Sequence, residues 1–238
     1  MPIREITEHV HIESIVPYFQ PIIDIQQQRV WRYECLARLV TPAEQTFLPS
    51  EFLYLLERDN HAQQLTETMF TQSARYFMHS NLPWNINLNA ADLDDDHVTN
   101  TLLTLLGDYP NPSRVSVEVS AQTALEHTEA LRRFIDKSLH SGLGVFIDNV
   151  GKTPININTL FAMPIRGIKL AGELFSHYLA EPDVQDYVQH VCTKAKQKQI
   201  TVIAEQIEDD VTLTQVEKLG VKYAQGYVFC QPAPSVSH

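Results

Sequence analysis

The sequence predicts one α/β domain folded as a modified (β/α)8 TIM-type barrel with an antiparallel first strand. Short apolar runs alternate along the whole chain with longer segments of helical period, the pattern of βα units rather than of hairpins. Eight such runs fit into 238 residues, which suits a closed barrel. The first two are joined only by Gln26-Gln27-Gln28-Arg29, too short for a helix, so they pair as an antiparallel hairpin. The phosphate-binding GxGxxG turn often carried by a doubly wound open sheet, the alternative architecture, is absent.

The strands are predicted, in order, at Tyr18 to Ile25, Val30 to Leu36, Trp84 to Leu88, Val115 to Val119, Gly144 to Ile147, Gly167 to Leu170, Thr201 to Ala204 and Tyr223 to Phe229. Between them, Pro49-Ser50-Glu51 opens a helix with Ser50 as the cap, and Asp209-Asp210 opens one that stops before Gly220. The segments Ala62 to Ser80 and Thr123 to Ser141 are long enough for helical crossovers. This divides the chain into an N-terminal extension (1–17), a barrel (18–232) and a loose tail (233–238).

Composition bounds the function. With 44% hydrophobic residues the chain can bury a sizeable core, and it is too short for two comfortable domains. A net charge of −11 without a Lys/Arg cluster argues against bulk nucleic-acid binding. A small phosphate ligand remains compatible where a divalent cation lies between it and the carboxylates. Cys35, Cys192 and Cys230 have neither paired nor zinc-type spacing, which suits a reducing compartment. The first residues lack an apolar signal-peptide region and no run approaches a membrane span, so a soluble cytoplasmic protein is expected.

The chemistry lies in the polar residues at the strand ends: Glu34, Asn87, Glu118, Asp148, Lys169, Glu205 and Gln225. In a barrel these ends converge on one face, where active sites are built from several strands. Singly, each has an ordinary explanation as a surface ion pair or a turn residue. Together they would place four carboxylates in one mouth, a costly arrangement without cations. Oxygen ligands without Cys or His suit Mg²⁺ or Mn²⁺, and two such ions can activate water for phosphodiester cleavage. Lys169 would polarise water or a phosphate oxygen, or serve as counter-ion to the carboxylates. His9 and His11 precede the first strand and read as solvated surface. Tyr18 and Phe19 read as barrel packing.

FQPI at 19–22 followed by ECLAR at 34–38 resembles the QPI and EAL-x-R signature of EAL-domain cyclic di-GMP phosphodiesterases. NINLN, VEVSA, FIDNVG, GIKLA, IAEQIE and AQGYVFCQP follow in the family's order, so the resemblance covers Tyr18 to Pro232. It implies a barrel with an antiparallel first strand. It also implies a first metal held by Glu34, Asn87, Glu118 and Asp148, catalysis by Lys169 and Glu205, and dinucleotide contacts from Gln20, Arg38, Glu208 and Gln225. The expected partners are cyclic di-GMP and a regulatory protein, with a homodimer as in similar families.

The chain departs from the family's pattern around the second metal. The second Asp of the DD pair is Asn149, the Asp of IKID is Ala171, and the second Glu of LEITE, a brace for the following loop, is Ala121. Gln206 replaces the Gly of VAEGVE, and the DNVGKTPININTL loop is itself altered. The reading is a degenerate domain with one cation site, acting as a cyclic di-GMP receptor or protein-binding regulator with weak or absent turnover. Without an attached sensor or cyclase domain the expectation is a stand-alone regulator, the alternative being a fragment of something longer. Two alternatives stand: an active Mg²⁺- or Mn²⁺-dependent phosphodiesterase, with Glu173 as replacement carboxylate, and a ligand-free interaction barrel.

Overall fold

A computed structural model describes residues 11–58, 61–178 and 180–236; the first ten residues, His9 among them, and the final two lie outside the description. The strands are β1 (Ile15–Asp24), β2 (Arg29–Val40), β3 (Thr46–Phe47), β4 (Trp84–Leu88), β5 (Val115–Ser120), β6 (Gly144–Val150), β7 (Gly167–Leu170), β8 (Thr201–Ala204) and β9 (Tyr223–Ala224). Their order, β1-β9-β8-β7-β6-β5-β4-β2, is closed by pairing of β2 with β1, giving an eight-stranded barrel. The short β3 extends β2 outside it as a hairpin. β1 runs antiparallel to both neighbours, and the pairs from β2–β4 round to β8–β9 are parallel.

The β1–β2 hairpin has the predicted cause. Asp24 pairs with Arg29, Asp24 Oδ1 accepts from Gln27 N at 3.0 Å, and Gln28 takes a left-handed φ of 49°. Both strands are longer than predicted, because Ile15 to Pro17 pair with Leu39 to Ala37. Arg38 therefore lies on a strand and not in a loop.

Four other expectations are corrected. The crossover predicted at Thr123 to Ser141 is two helices, Ala121–Glu126 and Thr128–Ser138, broken at His127 (φ −112°, ψ 38°) and begun by Ser120 Oγ accepting from Thr123 N. Ser50 lies inside the helix Pro49–Arg58, whose entry is held by Glu51 Oε2 accepting from Leu48 N at 2.7 Å. The last strand ends at Ala224 because the chain turns at Gly226, where a Cβ would lie 2.0 Å from Ile207 O. Residues 233–236 of the segment predicted as a loose tail dock: Phe19 N donates to Ala233 O at 2.7 Å and Val236 N to Tyr76 Oη at 2.9 Å. Asp209, by contrast, caps the helix Asp210–Lys218 as predicted, accepting from Thr212 N.

Two apolar layers result. The larger lies between strands and helices and includes Phe19, which packs on Tyr76 and Phe77. The smaller, inside the barrel, is Ile22, Phe146 and Ile203, closed below by Trp31 stacked on Tyr223 at 3.8 Å. The Arg32 guanidinium is buried in the same layer, over the Trp31 and Phe146 rings and donating to Ser116 Oγ at 3.2 Å, and the polar cluster lies above it at the mouth. Among the described residues no helix is long and apolar enough to cross a membrane.

Candidate functional site

Alternation along each strand decides which residues enter the mouth. Two residues above Arg32 on β2 comes Glu34; above Ser116 on β5, Glu118; above Phe146 on β6, Asp148; above Ile203 at the end of β8, Glu205. β4 contributes Asn85 and Asn87, and β7 contributes Lys169.

Lys169 is the centre of the arrangement. Its Nζ donates to Glu34 Oε2 at 2.8 Å and to Glu118 Oε2 at 2.9 Å, with Glu205 Oε2 at 3.3 Å and Asp148 Oδ1 at 3.4 Å. Asn87 Nδ2 donates to Glu34 Oε1 at 2.9 Å and Gln225 Nε2 to Glu34 Oε2 at 2.8 Å. Gln225 also donates to Gln20 Oε1 at 3.0 Å, and Gln20 in turn to Cys230 O at 3.2 Å. The structure thus brings together Glu34, Asn87, Glu118, Asp148, Lys169, Glu205, Gln225 and Gln20.

The electrostatics follow from four carboxylates around one ammonium in a nearly sealed site. Burial and the neighbouring Glu34 charge push the Glu118 carboxyl up to about 8, against the pull of Lys169. Burial and the Asp148 charge likewise hold Glu205 well above the ordinary carboxylate range. Glu34 goes the other way: burial would raise it, but the Lys169 charge and donors from Lys169, Asn87 and Gln225 bring it down to about 2. Burial alone would lower Lys169, whereas the charges of Asp148, Glu118, Glu34 and Glu205 hold it well above its usual value.

The donor set has the chemistry of a hard-cation site, oxygen only. Asp148 Oδ1 and Glu205 Oε1 are buried without a hydrogen-bond partner. Yet the carboxylates converge on Lys169, and among the described residues no group of three or more acidic, His or Cys side chains surrounds a space for a metal. A cation would share these carboxylates with the ammonium. Glu34, Asn87, Glu118 and Asp148 carry oxygen donors of the kind that Mg²⁺ or Mn²⁺ takes.

Around this cluster lies a pocket of about 410 Å³, with Arg38, Asn149, Gln206, Glu208 and Tyr227 on its walls. Arg38 Nη1 donates to Ala37 O at 2.8 Å, and its guanidinium lies 5.8 Å from the Tyr18 ring centre, so Tyr18 faces this cation while Phe19 packs as predicted. Glu208 is exposed at the rim.

Asn149 occupies a left-handed φ of 57°, and its Nδ2 donates to Asp148 Oδ2 at 2.7 Å, an interaction a carboxylate could not provide. Ala121 and Ala171 are buried, Ala121 within the larger apolar layer. Glu173 does not line the pocket; it lies 4.0 Å from Lys152 on the outside, which corrects its reading as a replacement ligand. That contact and the packing of Gly151 (φ 94°) against Leu174 tie the altered loop to the helix Gly172–Tyr178.

Asn85 was missed by the strand-end reading. It is fully buried one layer below Asn87, and its Nδ2 donates to Glu118 Oε1 at 2.5 Å. The alternating asparagines of NINLN were the available signal.

The sequence matches the profile of the EAL domain over residues 3–232. It is 26% identical to the cyclic di-GMP phosphodiesterase PA2567 of Pseudomonas aeruginosa over 90% of this chain and 38% of that protein. It is 24% identical to the cyclic di-GMP phosphodiesterase RocR of the same organism over 91% of this chain and 57% of that one. The chain thus spans less than two thirds of these relatives. The fold superposes on the PaMucR phosphodiesterase in its c-di-GMP complex with a TM-score of 0.88, at 19% identity and covering 99% and 98% of the two chains. It superposes on the c-di-GMP-bound FimX EAL domain of Pseudomonas aeruginosa with 0.87, at 20% identity and covering 99% and 98%. On the strength of the profile match across nearly its whole length, with a closed barrel that gathers the signature residues at its mouth, the chain belongs to the EAL domain family.

Proposed function

We propose that the barrel mouth binds cyclic di-GMP and hydrolyses it weakly or not at all, making the protein a receptor or protein-binding regulator. The observation that carries this reading is the Asn149 amide donating to Asp148 Oδ2 at 2.7 Å. A neutral amide, already committed to its neighbour, stands where the family places an anionic ligand of the second metal. Asn149 removes one anionic ligand of the second metal and Ala121 the brace of its loop, and loss of a supporting group alone typically costs ten- to hundredfold in metal affinity or activity.

Ligand binding draws on what is retained. Arg38 presents a planar, permanently charged fork suited to a phosphate oxygen. Gln20, Glu208 and Gln225 offer hydrogen bonds to the bases and sugars. Glu34, Asn87, Glu118 and Asp148 would hold one Mg²⁺ or Mn²⁺, which when bound polarises a phosphate oxygen or water. Lys169 holds the carboxylates in position and is placed to donate to a phosphate oxygen. Glu205, whose carboxyl is held above the ordinary range by burial and the Asp148 charge, lies on the pocket wall.

A second reading, a working phosphodiesterase, is favoured by one observation: Asp148 Oδ1, 3.4 Å from Lys169 Nζ, and Glu205 Oε1 are buried without a hydrogen-bond partner, and both suit a further cation. Calorimetric titration with cyclic di-GMP, with and without Mg²⁺, tests the binding claim. Wild type is expected to bind and Arg38→Ala to bind at least tenfold more weakly. Absence of binding by the wild type under both conditions would overturn the receptor reading.

A further inference from the structure

Asn85 stands beneath the mouth and has none of the roles given to the strand-end residues. It is fully buried on β4, in register with Glu34 on β2 and Ser116 on β5, one layer below Asn87 and Glu118. Its Nδ2 donates to Glu118 Oε1 at 2.5 Å, so it holds that carboxylate from the barrel side. The other oxygen, Oε2, accepts from Lys169 Nζ at 2.9 Å, and each Glu118 oxygen therefore already has a protein donor. Glu34, Asp148, Lys169 and Glu205 line the mouth pocket, whereas the fully buried Glu118 does not.

The position does not satisfy the amide itself. Asn85 Oδ1 is buried without a hydrogen-bond partner, which makes the residue costlier there than an apolar side chain of the same volume. What the amide supplies is its bond to Glu118, and a bond to an ionised carboxylate is stronger than one between neutral groups. Asn87, two residues on, donates instead to Glu34 Oε1 at 2.9 Å, and Glu34 does line the pocket. The two asparagines of β4 thus act on different carboxylates, one at the mouth and one from below.

We propose that Asn85 is a positioning residue that holds Glu118 back from the pocket and so weakens the capture of a divalent cation at the mouth. The inference rests on the reading that Glu34, Asn87, Glu118 and Asp148 hold one cation. A cation entering from the pocket meets Glu34 and Asp148 on its wall, and gains Glu118 only when that carboxylate leaves the amide below it. Without the amide, Glu118 is free to turn toward the pocket and add an anionic oxygen to the site. Weak metal capture then has an origin inside the barrel, separate from Asn149.

Mn²⁺ alone is the probe, titrated into the whole chain without dinucleotide, and binding is read from the loss of the electron paramagnetic resonance signal of the free ion. Asn85→Ala, which leaves space, and Asn85→Leu, which fills it, are each expected to bind Mn²⁺ at least tenfold more tightly than wild type. In a Glu118→Gln background neither substitution should change the affinity. General loosening of the barrel would weaken binding whether or not Glu118 is present, so a gain that depends on Glu118 separates positioning from a structural defect. Binding that Glu34→Ala abolishes, with no gain in either Asn85 variant or with a gain that survives Glu118→Gln, would overturn the proposal and leave the cation reading standing. Absence of Glu34-dependent binding in every one of these proteins would overturn both.

Discussion

Lys169 Nζ donates to Glu34 Oε2 at 2.8 Å in a site where the two side chains are only 2% and 7% exposed, so the cation and the carboxylate owe their charge to each other. Removing one member of such a buried pair commonly costs about 3–5 kcal/mol, because the other is left uncompensated. Lys169→Met is therefore expected to lower the unfolding free energy by an amount in that range at neutral pH. Urea unfolding of wild type and variant at pH 7.5 checks this, and a loss below about 1 kcal/mol would show that water reaches the cluster.

A different carboxyl sets a pH dependence away from the mouth. Asp92 is 1% exposed, and burial pushes it up to about 6 despite hydrogen bonds to Oδ2 from Asn89 N at 2.9 Å and Thr66 Oγ1 at 2.8 Å. A carboxyl raised on folding adds stability that is fully present below its unfolded value near 3.8 and is lost as pH rises through about 6. Relative to Asp92→Asn, the wild type should thus lose up to about 3 kcal/mol between pH 4 and pH 7.5, at 1.36 kcal/mol per pKa unit. Chemical unfolding of both proteins across that interval measures the difference directly.

Gly226 is sterically required. A methyl group there would sit 2.0 Å from Ile207 O and 2.3 Å from Ile207 N, backbone atoms that cannot rotate away. Gly226→Ala should destabilise by about 1–3 kcal/mol, the usual cost of overpacking, and displace the adjacent Gln225 from Glu34. Thermal melts together with a cyclic di-GMP titration would register both effects.

The altered second site makes a gain-of-function prediction. Asn149 already sits at φ 57°, a conformation that Asp tolerates, so Asn149→Asp adds charge without backbone strain. Combined with Ala171→Asp, it is expected to raise turnover of cyclic di-GMP at least tenfold in Mg²⁺ or Mn²⁺. An unchanged rate would assign the deficit to the loop tied down by Lys152 and Glu173.

The barrel and its mouth were legible because the carboxylates and amides recur where apolar runs stop, and a parallel barrel carries those ends to one place. What escaped the sequence was set by contacts across the fold. The break at His127 has no Gly or Pro to announce it and depends on Ser120 opening a helix directly from β5. The early end of β9 comes from Gly226 meeting the Ile207 backbone, a contact between segments about twenty residues apart. Asn85 was invisible to a rule that took one polar residue per strand end, since its partner, Glu118, lies on the neighbouring strand. Sequence alone does not separate counter-ion from catalyst for Lys169, and its four carboxylate neighbours make it the counter-ion.

The most direct measurement is chromatography of cyclic di-GMP incubated with a near-stoichiometric amount of protein and Mg²⁺ or Mn²⁺. The cyclic dinucleotide is expected to remain largely intact, with no more linear product than in a Glu34→Ala control. Rapid formation of the linear dinucleotide that vanishes in Glu34→Ala would contradict it and establish a working phosphodiesterase despite Asn149.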